Sequence, residues 1–193
     1  MQIGLFFGSF NPIHIGHLIV ANTIAESNEV GQVWFVVSPQ NPFKKKHTLA
    51  HEFDRIHMVR LAIGDNPKFN VTDIEFRMPQ PSYTIDTLTY LSEKYPQHQF
   101  SLIIGTDNLA SLPKWKNYEQ ILNYYSILVY PRPDVELPAS TLLTHPNVKI
   151  IEAPLLAISA TYIRHCIQQN KSIRYLVPQE VADYIHAKKL YYF

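Results

Sequence analysis

The chain has 193 residues, 46% of them hydrophobic, and a formal net charge of +1. That length supports one full core and is too short for two large domains, and the balanced charge argues against broad electrostatic binding to nucleic acid or an anionic membrane. With no apolar run long enough to span a bilayer, no basic n-region after Met1 and a single cysteine, Cys166, the chain reads as a cytoplasmic protein without an intramolecular disulfide.

Apolar runs alternate with amphipathic segments along the chain. A strand over 2–7 leads through a turn into a helix over 15–27. A strand over 33–37, Val33-Trp34-Phe35-Val36-Val37, is apolar throughout, as a strand covered on both faces should be. Next come a helix over 51–63, a strand over 69–74, a helix over 83–95 and a strand over 99–104. The remainder reads as a helix over 117–123, strands over 126–130 and 148–151, and helices over 159–169 and 178–187. Strands alternating with helices predict an α/β fold with a parallel sheet and crossover helices. In such sheets ligands bind outside the carboxyl ends of the strands. Three loops lie at such ends: residues 8–17, the stretch from Ser38 to Lys44, and Gly105-Thr106-Asp107. Residues 131–138, from Pro131 to Pro138, read as a proline-rich surface connection, and Cys166 as a packing residue.

Gly8-Ser9-Phe10-Asn11-Pro12-Ile13-His14-Ile15-Gly16-His17 joins the first strand to the first helix. A helix start offers unpaired N–H groups and partial positive charge, which suit a phosphate, and the two imidazoles add donors. Gly8 lets backbone approach a ligand closely. The His-x-x-His spacing alone also fits metal, but no third ligand stands at a suggestive spacing, so no metal site is assigned. The turn is neither a P-loop nor a Gly-x-Gly-x-x-Gly fingerprint. Ser159 is a good N-cap for a helix that carries Arg164, a second place for phosphate. His47, His51 and His57 do not share a helix face and read as surface or packing residues. Tyr191-Tyr192-Phe193 form an aromatic tail, docked or at an oligomer contact.

The stretch 8–17, together with Ile158-Ser159-Ala160-Thr161-Tyr162-Ile163-Arg164, resembles the nucleotidyltransferase superfamily with the (His/Thr)-x-Gly-His signature. Within it the chain is similar to the bacterial nicotinate-nucleotide adenylyltransferases. The more specific marks are Pro81-Ser82-Tyr83-Thr84 and the Gly105-Thr106-Asp107 segment leading to Trp115, with the tail Tyr175-Leu176-Val177-Pro178 in keeping. The likeness covers nearly the whole chain. It implies a Rossmann-like, doubly wound sheet in one nucleotidyltransferase domain over 1–193, with a helical part from about 155 packed on the sheet. Asn11 stands where the family usually has aspartate, Phe43 where a loop histidine is frequent, and Ala160 where serine is common.

The implied reaction joins ATP and nicotinate mononucleotide to give nicotinate adenine dinucleotide and pyrophosphate, with Mg²⁺ carried by ATP. The attacking phosphate monoester has a second pKa of about 6 and needs no general base. The resemblance implies that His14, His17 and Arg164 are catalytic. Gly8, Ser9, Phe10, Lys44, Gly105, Asp107, Ser159 and Thr161 would bind ATP. Ser82, Tyr83, Thr84 and Trp115 would bind the pyridine nucleotide, Trp115 by stacking and the start of the 83–95 helix by holding the carboxylate. Alternatives are adenylyl transfer to nicotinamide mononucleotide or to phosphopantetheine, or a catalytically silent nucleotide-binding module. The oligomeric state is left open.

Overall fold

A computed structural model describes residues 1–39, 49–133 and 141–192. The strands are β1 (Gln2–Gly8), β2 (Gln32–Val37), β3 (Phe69–Thr72), β4 (Gln99–Gly105), β5 (Ser126–Tyr130) and β6 (Val148–Ile150). They form one sheet in the order β3-β2-β1-β4-β5-β6, and every pairing is parallel. The helices are α1 (Ile15–Glu26), α2 (Glu52–Ile63), α3 (Thr84–Lys94), α4 (Thr106–Ser111), α5 (Tyr118–Tyr124), α6 (Ala160–Gln168) and α7 (Gln179–Lys188).

The period-two alternation of each strand sorts its side chains onto two faces. Phe6, Val33, Phe35, Val37 and Ile103 join Ile24, Val59, Ile163, Val181 and Ile185 in one core, beneath α1, α2, α6 and α7. Leu5, Trp34, Val36, Leu102 and Ile104 join Leu88, Leu91, Leu109 and Ile121 in the other, beneath α3, α4 and α5. Each fully buried side chain of this size contributes about 1.5–3 kcal/mol. The C-terminal helical part therefore packs on the α1 side of the sheet. Helices that follow β1 and β4 leave toward opposite faces, so the chain parts between these neighbouring strands and opens a crevice at their carboxyl ends.

The predicted strands and helices are present, with boundaries shifted by one or two residues. The predicted strand over 69–74 ends at Thr72, and a 3-10 turn, Ile74–Arg77, follows. The sequence pattern missed α4, which begins directly where β4 stops. Among the described residues no helix is long and apolar enough to cross a membrane.

Gly8 also has a packing role that its place in the sequence does not suggest. A Cβ there would lie 2.9 Å from the Phe10 ring. That ring is buried against Phe6, Phe35 and His17. The missing side chain makes room for a core aromatic under the turn. Phe10 holds φ at 43°, a left-handed conformation uncommon for a bulky residue. Gly8→Ala should therefore lower stability by about 1–3 kcal/mol, as overpacking does. Urea denaturation would show it as a lower midpoint at unchanged slope.

Candidate active site

The turn after β1 carries His14 as the N-cap of α1. Its backbone N–H donates to Nδ1 of His17 at 3.2 Å. A neutral imidazole that accepts at Nδ1 carries its proton on Nε2, so the same bond orients His17 as an Nε2–H donor. The two rings stack, with centroids 3.7 Å apart and 24° between planes. Gly16 permits this, since a Cβ there would come within 3.1 Å of the His14 ring. The helix start is less open than the sequence implies. The Ile15 N–H already donates to the Leu176 carbonyl at 3.0 Å.

His14 is 5% exposed, and its pKa is lowered to about 4, first by burial and then by the charge of Arg132. It is a neutral ring at pH 7. Arg132 belongs to the stretch that reads as a surface connection, yet residues 131–133 line the same cleft as His14 and His17. This is a correction: the part of that connection inside the described residues is wall of the site. The Arg132 N–H donates to Thr106 Oγ1 at 3.1 Å, and its Nε lies 3.5 Å from Asp107 Oδ1. Its guanidinium sits over the Tyr130 ring. A Cβ at Gly105 would lie 2.5 Å from Asp107 Oδ1 and 3.0 Å from Arg132 Nε, so glycine there makes this pairing possible. Sequence reasoning missed Arg132 because two prolines flank it and mask its place directly after a buried strand.

The cleft is open to solvent and its enclosed space is small, about 30 Å³. His14, His17 and Arg132 line it together with Phe6, Pro133, Pro154, Leu156 and Ile158. Ile158 precedes Ser159, whose Oγ accepts the Tyr162 N–H at 3.2 Å and caps α6 as expected. Arg164 turns toward the same turn. Its Nη1 donates to the Asn11 carbonyl at 2.8 Å and its Nη2 to Thr161 Oγ1 at 3.2 Å. Phe10 contributes no side chain to the cleft, because its ring is in the core. Lys44 and Phe43 lie outside the described residues.

The loops are fixed by a residue that the sequence did not single out. Arg55 on α2 is fully buried, and its guanidinium donates to four carbonyls: Ser9 at 2.6 Å, Ser38 and Pro39 at 2.7 Å, and Ala50 at 3.0 Å. It thereby ties the turn after β1 to both flanks of the 40–48 segment. Its position in an amphipathic helix gave no signal of this.

The second group of predicted residues forms at the start of α3. Glu75, 2% exposed, accepts from Ser82 Oγ at 3.0 Å and Thr87 Oγ1 at 2.8 Å. Burial raises its pKa, and hydrogen bonds from Ser38, Thr87 and Ser82 oppose that rise. Glu75 thus moors residues 82–87 to the end of β2. Lys116 pairs with Asp86 at 2.8 Å and lies over the Tyr83 ring at 4.8 Å, which brings the Trp115 segment against the start of α3. Trp115 is half-buried against the α3 side core, and Tyr83 is exposed. Among the described residues no group of three or more His, Cys, Asp or Glu side chains could hold a metal ion.

A cytidylyltransferase-like family model matches residues 5–166. The chain belongs to this family. It is 62% identical over 191 residues to a Cytophaga hutchinsonii protein named "probable nicotinate-nucleotide adenylyltransferase", covering 99% of this chain and 98% of that one. A Flavobacterium psychrophilum protein of the same name is 51% identical and is covered to 99%, as is this chain. The chain is thus a member of the nicotinate-nucleotide adenylyltransferase family. In fold it matches the Plasmodium falciparum nicotinic acid mononucleotide adenylyltransferase complexed with NaAD. The TM-score is 0.83 at 22% identity, over 98% of this chain and 97% of that one.

The low pKa of His14 has a consequence for stability. An unfolded histidine titrates near 6.5, so between that value and about 4 the unfolded chain binds more protons than the folded one. The contribution is complete above pH 6.5 and is lost as pH falls toward 4. Its loss over that range amounts to about 3 kcal/mol. His14→Asn should flatten the fall in unfolding free energy between neutral and acidic pH by roughly this amount, measured by denaturant titrations at a series of pH values.

Proposed function

We propose that this chain transfers the adenylyl group of ATP to nicotinate mononucleotide, giving nicotinate adenine dinucleotide and pyrophosphate in NAD biosynthesis. The observation that carries the reading is that His14, His17 and Arg132, from the turn after β1 and the chain after β5, line one cleft together with apolar side chains. Such a lining suits a nucleotide, with phosphates at Arg132 and the imidazoles and the base against Leu156 and Ile158. The names of relatives that match nearly the whole chain support the choice of substrate.

The reaction is a displacement at the α-phosphorus. An oxygen of the mononucleotide phosphate forms a new bond to it, the bond to the bridging oxygen of the β-phosphate breaks, and that electron pair leaves with pyrophosphate. A dianionic nucleophile needs no proton removed, so catalysis lies in bringing anions together and stabilising the charge that develops. His17 offers its Nε2–H to the α-phosphate, and neutral His14 supports it without adding charge. Arg132 supplies the cation beside them. Arg164 and Thr161, with the capped start of α6 at Ser159, take the β- and γ-phosphates. Main chain of Gly8, Ser9 and Phe10 lines the approach, and Gly105 and Asp107 hold Arg132 and the ribose side. Mg²⁺ enters as part of the Mg·ATP substrate, held by phosphates and water.

The acceptor lies toward α3. Trp115 stacks on the pyridine ring, and the first N–H groups of α3, at Tyr83 and Thr84, take the nicotinate carboxylate, with Ser82 setting the segment through Glu75. An amide carries no charge for that helix start to favour. The chain acts as one nucleotidyltransferase domain over 1–193, in the cytoplasm, and the buried thiol of Cys166 suits a reducing compartment.

The deciding experiment follows pyrophosphate release from Mg·ATP with nicotinate mononucleotide, nicotinamide mononucleotide and phosphopantetheine in parallel. The first should be the preferred acceptor. Turnover with either of the others and none with the first would overturn the assignment. His17→Ala should lower kcat by about 100-fold or more, the scale for one lost donor to a developing anion. A silent binding module would show no turnover to lose.

A further inference from the structure

We propose that Tyr191 is a positioning residue for the phosphate site, acting through Asn11 on Arg164. The proposal rests on the assignment of Arg164 to the leaving phosphates made above. Tyr191 is 1% exposed and sits in the core beneath α1 and α7. Its hydroxyl donates to Asn11 Oδ1 at 2.8 Å, and both residues are buried. The same oxygen accepts the Ala50 N–H at 3.0 Å. One amide oxygen therefore gathers the chain near its end, the segment before α2 and the signature turn. The main-chain carbonyl of that residue is the acceptor of Arg164 Nη1 at 2.8 Å.

The peptide that orients the guanidinium is thus held by its own side chain, and that side chain is held by Tyr191. Arg164 is only half-buried, and Thr161 is its other side-chain partner. A swing of the Asn11 peptide would release the guanidinium from the direction in which Thr161 and Asn11 together point it. The backbone at Tyr191 has φ 69° and at Lys189 φ 52°. The chain leaves α7 through two left-handed turns to bring this ring back under the site. Positive φ at an aromatic residue is unfavourable and persists where surrounding structure determines it. A docked tail needs only an apolar ring; this one also delivers a hydroxyl to the signature turn.

Tyr191→Phe keeps the ring in the core, and Asn11 Oδ1 retains the Ala50 N–H, so the variant leaves no acceptor unsatisfied. The probe is inorganic pyrophosphate, bound to the purified full chain and followed by calorimetry, which needs no turnover. The expected result is an affinity for pyrophosphate about five- to tenfold weaker in Tyr191→Phe, with KM for nicotinate mononucleotide unchanged. In an Arg164→Ala background the same substitution should add nothing, because residues acting through one another are not additive. Pyrophosphate affinity within twofold of the parent would overturn the proposal, whatever the change in melting temperature. So would an equal loss in both backgrounds, which would make Tyr191 independent of Arg164. If pyrophosphate binds as described and no acceptor is adenylylated, the failure lies with the proposed reaction and Tyr191 keeps its role.

Discussion

The guanidinium of Arg55 is the constraint on which the rest of the site depends. A fully buried cation is costly unless every donor is met, and here carbonyls of three segments meet it. Burial lowers its pKa, while Tyr191 and Glu52 act in the opposite direction. Carbonyl dipoles are its main compensation, so the loops that supply them are held in place by the need to satisfy it. Ser9 is in the signature turn, Ser38 and Pro39 follow β2, and Ala50 precedes α2. A planar fork suits this arrangement better than an ammonium, because its donors diverge in fixed directions.

Around that anchor, charge is distributed sparingly. His14 is kept neutral by burial and by Arg132, so among the described lining residues the cation of the cleft is Arg132. Asp107 lies close enough to Arg132 to steer it, and both side chains stay partly exposed, which keeps the pair weak and the cation available to an anion. Glu75 does comparable work beside the end of β2 by ordering Ser82 and Thr87 from a buried position. Both groups of candidate site residues thus rest on buried polar side chains, Arg55 and Glu75.

Strands were legible because both faces of the sheet are covered, and a covered strand such as 33–37 shows an unbroken apolar run. The signature turn and the Ser159 cap were legible because their chemistry is local. The missed features share one cause. Helix α4 is six residues long and too short to show periodicity. Arg55 looks in sequence like any arginine on an amphipathic helix, and its burial follows from loops that end far away in the chain. Arg132 was hidden by flanking prolines. The packing role of Gly8, room for the Phe10 ring, was equally invisible in spacing. Long-range packing decides each of these, and one-dimensional spacing does not carry it.

The bond between Asn11 and Tyr191 joins positions 180 residues apart. A bond across that separation forms only when the strands and helices between its ends are packed. A form in which the segment after α7 has peeled away from the core lacks it. The conformation of the signature turn is in this way a reporter of whether the α1 side of the sheet is fully assembled.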